Sequence, residues 1–224
     1  MNISKKKLTA AAAGLAALTL VCVGASALTP SSDLIVSAST EETENSLKVF
    51  IGDVNHAAED YVQQRDAYIS EVAEIDADEV MEAVIGLDDY YAVEAVAELA
   101  EDYDTTINRV YMWPKGETGR LILFVEDNDI EASIEAYKQE VAEDGSCEED
   151  EQFAKDFQRL LDGDYGVFAL AVTASAEALE ELSTTADCIS YVDVKYNDEA
   201  ETYARQAGKV VSYIELPSKP DRAL

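Results

Sequence analysis

The chain has 224 residues, of which 47 are acidic and 16 are basic, giving a formal net charge of −31 at pH 7. This balance excludes a nucleic-acid binder and disfavours docking on anionic lipid, because both need clustered Lys and Arg. Hydrophobic residues make up 48% of the chain, which is more than a disordered acidic protein carries, so we expect a folded core.

The N-terminus has the pattern of an export signal. Lysines at positions 5–7 precede an apolar stretch, and Ala25-Ser26-Ala27 matches the small-x-small site of signal peptidase. We predict cleavage after residue 27, which assigns residues 1–27 to a signal peptide and the rest of the chain to a secreted or extracytoplasmic, surface-associated protein. An uncleaved anchor is the alternative, because residues 8–28 are long enough to span a bilayer. In that case they would be its membrane contact.

The next two segments are predicted to be a linker and a helix. Residues 28–45 are rich in Ser, Thr and Glu, which is typical of a flexible linker. From residue 46 to residue 75, apolar side chains recur at steps of three and four, the period of one helix face. We interpret 46–75 as a long amphipathic helix lying on the domain's own sheet, because Arg65 and other residues interrupt the seam that a dimeric coiled coil would need. Residues 47–51 alternatively form a short strand.

A strand-helix-strand pattern then occurs twice. The predicted elements are a strand at 79–87, a helix at 90–102 and a strand at 107–113, then a strand at 166–173, a helix at 175–184 and a strand at 189–196. Two β-α-β units in one small domain most simply pair into a ferredoxin-like sandwich with its helices on one face. We therefore predict an α+β fold, with this domain at residues 76–216 and a tail at 217–224.

An insertion of a turn and two helices separates the two units. Residues 114–119 are a strong turn signal, so residues 107–126 are predicted to form a β-hairpin. A helix is predicted at 129–143, and a second one ends at Gly163 with Phe153 and Phe157 on its buried face. The last predicted elements are a short helix at 198–207 and a strand at 210–216.

The chain has few histidines and cysteines, the residues on which catalytic triads and zinc sites mostly rely. The single histidine, His56, lies in the predicted long helix, far in sequence from the two cysteines beyond the signal, Cys147 and Cys188. These residues do not make a catalytic triad or a zinc site, and Asp127 starts no EF-hand loop, so we predict no catalytic residue, metal or cofactor. In an oxidising compartment Cys147 and Cys188 are a candidate disulfide, and two separate thiols are the alternative.

A family resemblance rests on the repeated units. Its residues are Tyr111-Met112-Trp113, then Gly166 to Thr173, and downstream Leu179 to Leu182 and Tyr191 to Val194. In these residues the chain resembles the C-terminal extracytoplasmic domain of sigma-factor regulators, the anti-sigma proteins of Gram-positive bacteria. The resemblance covers about residues 76–196. It implies an external regulatory domain that works through protein-protein interaction.

We therefore expect an exported, non-enzymatic, monomeric domain with a protein partner at the cell surface. Tyr111 and Trp113 are the candidate partner contacts if they are exposed, and core packing is the alternative for both. One rival function is a secreted hydrolase with a carboxylate pair, which would need a pocket that gathers two carboxylates between aromatic walls; we expect no such pocket. Another is a ferredoxin-like protease inhibitor or propeptide that reaches its target with residues 210–216 and the tail.

Overall fold

The computed structural model describes residues 40–52, 58–117, 119–144, 151–195 and 198–220. Within these ranges the fold is α+β, with six helices and two sheets of three and five strands. The strands are β1 (Thr40–Glu42), β2 (Ser46–Ile51), β3 (Val80–Tyr91), β4 (Thr106–Trp113), β5 (Leu121–Phe124), β6 (Gly166–Ser175), β7 (Ile189–Val194) and β8 (Val210–Glu215). The helices are α1 (Ala58–Ile75), α2 (Val93–Asp102), α3 (Ile130–Asp144), α4 (Glu151–Asp162), α5 (Ala176–Thr185) and α6 (Asp198–Ala207).

The five-stranded sheet contains both predicted β-α-β units. Its strand order is β5-β4-β6-β3-β7, and every neighbouring pair is antiparallel. The units β3-α2-β4 and β6-α5-β7 interleave, because β6 lies between β3 and β4. The predicted hairpin is also confirmed, since β5 pairs with β4 with Met112 opposite Leu121. The two predicted insertion helices are α3 and α4.

The three-stranded sheet corrects two predictions near the N-terminus. Its order is β1-β2-β8, with β8 parallel to β2. The end of the predicted linker is strand β1, and the predicted helix at 46–75 is wrong over 46–51, because these residues form β2 and the helix begins at Ala58. In β2, buried residues Leu47, Val49 and Ile51 alternate with half-buried ones, which is the two-residue period of a strand. Leu47 and Ile51 are four residues apart, a spacing that also fits a helix.

One face of the five-stranded sheet carries the main core. Alternate residues of β3, such as Ala83 and Ile85, point to this face and pack with Ile69 of α1 and Leu179 of α5. The last strand of the predicted domain, β8, does not join this sheet but pairs with β2 instead. None of the helices in the described ranges combines the length and the apolar character that crossing a membrane requires.

The other face of this sheet is covered by the end of β2 and by the C-terminal segment. Val84 and Tyr191 pack here against Ile51. A buried ion pair joins α1 to β7, because Arg65 Nε lies 3.2 Å from Asp193 Oδ1 and the two side chains are only 8% and 1% exposed. Asp193 Oδ2 also accepts a hydrogen bond of 2.6 Å from the amide of Gly52. One carboxylate therefore joins α1, β7 and the end of β2.

Candidate binding site

A pocket opens between the β4–β5 hairpin and the two insertion helices, and we call it the aromatic pocket. Its volume is about 140 Å³. Its apolar lining comes from Met112 and Leu121 of the hairpin, Tyr137 of α3, Phe153, Phe157 and Leu160 of α4, and Tyr165 just before β6. Its charged lining residues are Arg120, Asp156, Arg159 and Asp164. The pocket thus combines aromatic residues with a polar margin.

The spacing along α4 explains why aromatic side chains gather here. Phe153, Phe157 and Leu160 lie at i, i+4 and i+7, so they share one helix face. The rings of Phe153 and Phe157 stack with their centroids 6.3 Å apart. Tyr137 of α3 meets Phe157 edge-on, with 6.5 Å between the ring centroids. Such ring pairs add to the stability of the cluster and hold its geometry.

Tyr165 closes the pocket at the start of β6. The residue is half-buried, and burial raises the pKa of its hydroxyl group. The phenol therefore stays neutral over the physiological pH range and keeps its proton as a hydrogen-bond donor.

Most of the charged groups of the pocket are engaged by neighbours. Arg159 Nη2 lies 3.2 Å from Glu117 Oε1, and its Nε lies 3.7 Å from Asp164 Oδ2. Asp156 accepts a hydrogen bond of 3.0 Å from Gln152 on the same helix. The aromatic pocket therefore does hold two carboxylates beside aromatic rings, and the expectation that such a pocket is missing is wrong. Each of these carboxylates has a polar partner.

The structure separates the two predicted partner contacts. Tyr111 is fully buried, and its hydroxyl donates a hydrogen bond to the carboxylate of Glu215. Burial, followed by this hydrogen bond, raises the pKa of Tyr111 well above its usual value. Tyr111 therefore serves the core and cannot touch a partner. Trp113 is half-buried and lines the aromatic pocket, so it remains a candidate contact for a partner.

The C-terminal segment lies across the second face of the sheet. The Leu216 amide donates to Ile51 O over 2.8 Å, and the Ser218 amide donates to the Tyr191 hydroxyl over 3.2 Å. Lys219 is buried, and its Nζ donates a hydrogen bond of 2.7 Å to Glu117 O. Residues 217–220 of the predicted tail thus pack on the domain. The segment that a protease inhibitor would extend is engaged by its own chain.

Lys219 also meets aromatic rings. Its Nζ lies 5.9 Å from the ring centroid of Trp113 and 5.6 Å from that of Phe168. Both distances are within the range of cation–π attraction. Sequence reasoning missed this contact because Lys219 and Trp113 come from distant parts of the chain and no local pattern joins them.

A second cavity on this face, of about 130 Å³, is polar and balanced in charge. Lys195 pairs there with Glu82, and Arg109 pairs with Glu215. Each of these four charges is neutralised by its neighbour. A charged ligand would therefore have to break an existing ion pair to bind to any of them. The aromatic pocket is the better candidate site.

The other predicted residues give no second site. Cys188 is half-buried, and burial raises the pKa of its thiol. Cys147 and His56 lie outside the described residues, so the disulfide stays a prediction. Among the described residues, no three His, Cys, Asp or Glu side chains gather in a way that could hold a metal ion. Comparison of the chain with protein-family models, with curated proteins and with solved structures finds no match.

Proposed function

We propose that this chain is an exported binding domain that captures an aromatic side chain of a protein partner in the aromatic pocket. The observation that carries the proposal is the pocket itself, with its apolar lining and its volume of about 140 Å³. A closed apolar cavity of roughly 150 Å³ takes up one benzene ring. The pocket therefore suits a single aromatic ring, or a branched aliphatic side chain of similar size.

The charged groups of the pocket favour binding over catalysis. A hydrolytic carboxyl group must be able to take up or release a proton during the reaction. Asp164 is paired with Arg159, and Asp156 accepts a hydrogen bond from Gln152, so each carboxylate already has a polar partner. These contacts suit a polar rim that orients a ligand around an apolar centre.

The setting of this function is also a proposal. The signal pattern at residues 1–27 supports export, and the resemblance of the β-α-β units to the extracytoplasmic domain of sigma-factor regulators supports a regulatory role at the cell surface. N-terminal sequencing of the exported protein tests the location, and we expect it to begin at Leu28. A sigma-factor gene beside the gene for this chain would support the regulatory role.

We further propose that the five-stranded sheet is of ferredoxin-like type, with β5 as an addition. Without β5 the strand order is β4-β6-β3-β7, and the helices of both units connect parallel strands that another strand separates. This interleaving is what a split pair of β-α-β units produces. A crystal structure with a different order of these four strands would contradict the assignment.

A selection from a displayed library of random peptides tests the proposed function. We expect the exported part of the chain to enrich peptides that contain Phe, Tyr or Trp. The variant Phe153→Ala removes one ring of the pocket and should abolish this enrichment. Phe124→Ala is the matched control, because Phe124 is 69% exposed on β5 and does not line the pocket.

The possible results of the selection distinguish the aromatic pocket from other binding sites. Enrichment that is lost with Phe153→Ala and kept with Phe124→Ala supports the proposal. Enrichment that survives both substitutions would place the binding site elsewhere, and peptides without aromatic residues would contradict the proposal. Circular dichroism of each variant shows whether the fold is retained.

A secreted hydrolase is the second candidate, and one observation favours it. Asp156 and Asp164 line the same pocket as several aromatic residues, which is an arrangement that carbohydrate-cleaving enzymes use. Hydrolysis of chromogenic glycosides or of cell-wall fragments tests it. Activity that disappears with Asp164→Asn or Asp156→Asn would replace the binding proposal.

A further inference from the structure

A groove lined by acidic side chains adjoins the aromatic pocket. The groove has a volume of about 360 Å³ and lies between the start of α2 and the first turns of α3. Tyr165 lines both the groove and the aromatic pocket, so the two adjoin at this residue. Glu94, Glu131 and Glu135 supply the charged lining of the groove.

Two of these three carboxylates are unneutralised. Glu135 pairs with Lys138 over 2.8 Å. Glu94 and Glu131 are exposed, and in the described part of the chain neither side chain makes an ion pair or a hydrogen bond. The molecule as a whole carries a net charge of −31, so its long-range field has the same sign as the groove. Positive charge on a ligand therefore favours its binding in the groove.

We infer that the partner segment bound here is an extended peptide with an aromatic residue flanked by Lys or Arg. The aromatic side chain enters the aromatic pocket, and the cationic side chains lie in the groove against Glu94 and Glu131. This inference rests on the proposed function, and it adds the charge of the partner to it. The apolar pocket provides the anchor, and the groove discriminates among partners that carry the same ring.

A set of related fluorescent peptides tests the inference by polarisation. The probe is a Gly-Ser peptide with one Phe between two Lys residues on each side. Its relatives replace the four Lys by Glu, or the Phe by Ala. We expect the Phe/Lys peptide to bind most tightly, and its affinity to fall as the salt concentration rises. The Phe/Glu peptide should bind at least about tenfold more weakly, because like charges then face each other.

A pair of double variants separates the groove from the overall charge. Glu94→Gln with Glu131→Gln should weaken the Phe/Lys peptide about fivefold, since exposed ion pairs contribute modestly. Glu177→Gln with Glu181→Gln on α5 is the matched control. It removes the same net charge from two exposed residues of another helix, and Glu177, like Glu94 and Glu131, lies in a first helical turn. This control should change the affinity less than about twofold.

Each result supports or overturns a distinct statement. Equal binding of the Phe/Lys and Phe/Glu peptides would overturn the inference and leave capture of an aromatic side chain intact. Equal losses in the two double variants would also overturn it, because the effect would then come from net charge alone. Equal binding of the Phe/Lys and Ala/Lys peptides, or no binding of any peptide, would overturn both the inference and the proposed function.

Discussion

The substitution Asp193→Asn removes the charge that joins α1 to the five-stranded sheet. Asn keeps a side-chain oxygen that can accept the Gly52 amide, which donates to Asp193 over 2.6 Å. It removes the negative charge that lies 3.2 Å from Arg65 Nε. The variant therefore isolates the effect of the ion pair from the loss of a hydrogen-bond acceptor.

The expected loss is large because both partners are buried. Removing one member of a buried ion pair costs about 3–5 kcal/mol, since the other charge stays in a poorly solvated place. With side-chain exposures of 8% for Arg65 and 1% for Asp193, we expect Asp193→Asn to fall in this range. A domain is stable by about 5–15 kcal/mol in total, so the loss is a substantial part of it.

Adding Arg65→Met to this variant removes the stranded cation. The double variant buries neither charge, so we expect it to be more stable than Asp193→Asn alone by about 2 kcal/mol. Its remaining loss reflects altered packing at the site.

Urea unfolding followed by circular dichroism and by the fluorescence of Trp113, the chain's single tryptophan, measures these differences. Lys48→Met is the control, because it breaks the exposed Lys48–Glu41 pair and should cost less than about 1 kcal/mol. A loss of less than about 1 kcal/mol in Asp193→Asn, or a double variant that is no more stable than Asp193→Asn, would refute the reasoning.

Three further predictions concern stability. Gly86→Ala places a Cβ atom 2.0 Å from the ring of Tyr191, so we expect it to lower the free energy of unfolding by about 1–3 kcal/mol in urea unfolding. Ser175→Ala removes the side-chain cap that accepts from the Ala178 amide and should cost about 1 kcal/mol, seen as a lower thermal midpoint. Burial raises the pKa of Asp66, so the folded state holds this proton more tightly than the unfolded state and stability falls as the pH rises through the raised pKa. Asp66→Asn should therefore stabilise the protein slightly at neutral pH, since partial exposure to water screens the effect, and have no such effect in acid, where a gain that persists would contradict the assignment.

Local patterns in the sequence predict the β-α-β units well. The predicted strand at 166–173 and the predicted helix at 175–184 correspond to β6 and α5, and the Ser175 side chain caps α5. The pattern was ambiguous at Leu47 to Ile51, because a four-residue spacing fits a helix while the alternation between these residues fits a strand. Pairing with β8, far along the chain, decides between the two.

The candidate site depends on contacts that the sequence does not display. The sequence predicts that Phe153 and Phe157 lie on the buried face of a helix, which is consistent with their half-buried positions. That both also line a cavity follows from how α4, Tyr137 of α3 and the hairpin meet around the aromatic pocket. The one local signal is the concentration of Tyr137, Phe153, Phe157 and Tyr165 in and just after the insertion. In the sequence Arg65 only interrupts an apolar seam, and the fold shows its partner in Asp193.

Capture of an aromatic side chain in the aromatic pocket is the central claim, and nuclear Overhauser contacts test it most directly. The measurement uses the exported part of the chain with the Phe/Lys peptide, labelled so that contacts between peptide and protein are observed alone. We predict contacts from the peptide's phenyl protons to the ring protons of Tyr137 and Phe157. Contacts to Phe124 or to other surface residues in their place, or no intermolecular contacts at saturating peptide, would contradict the claim.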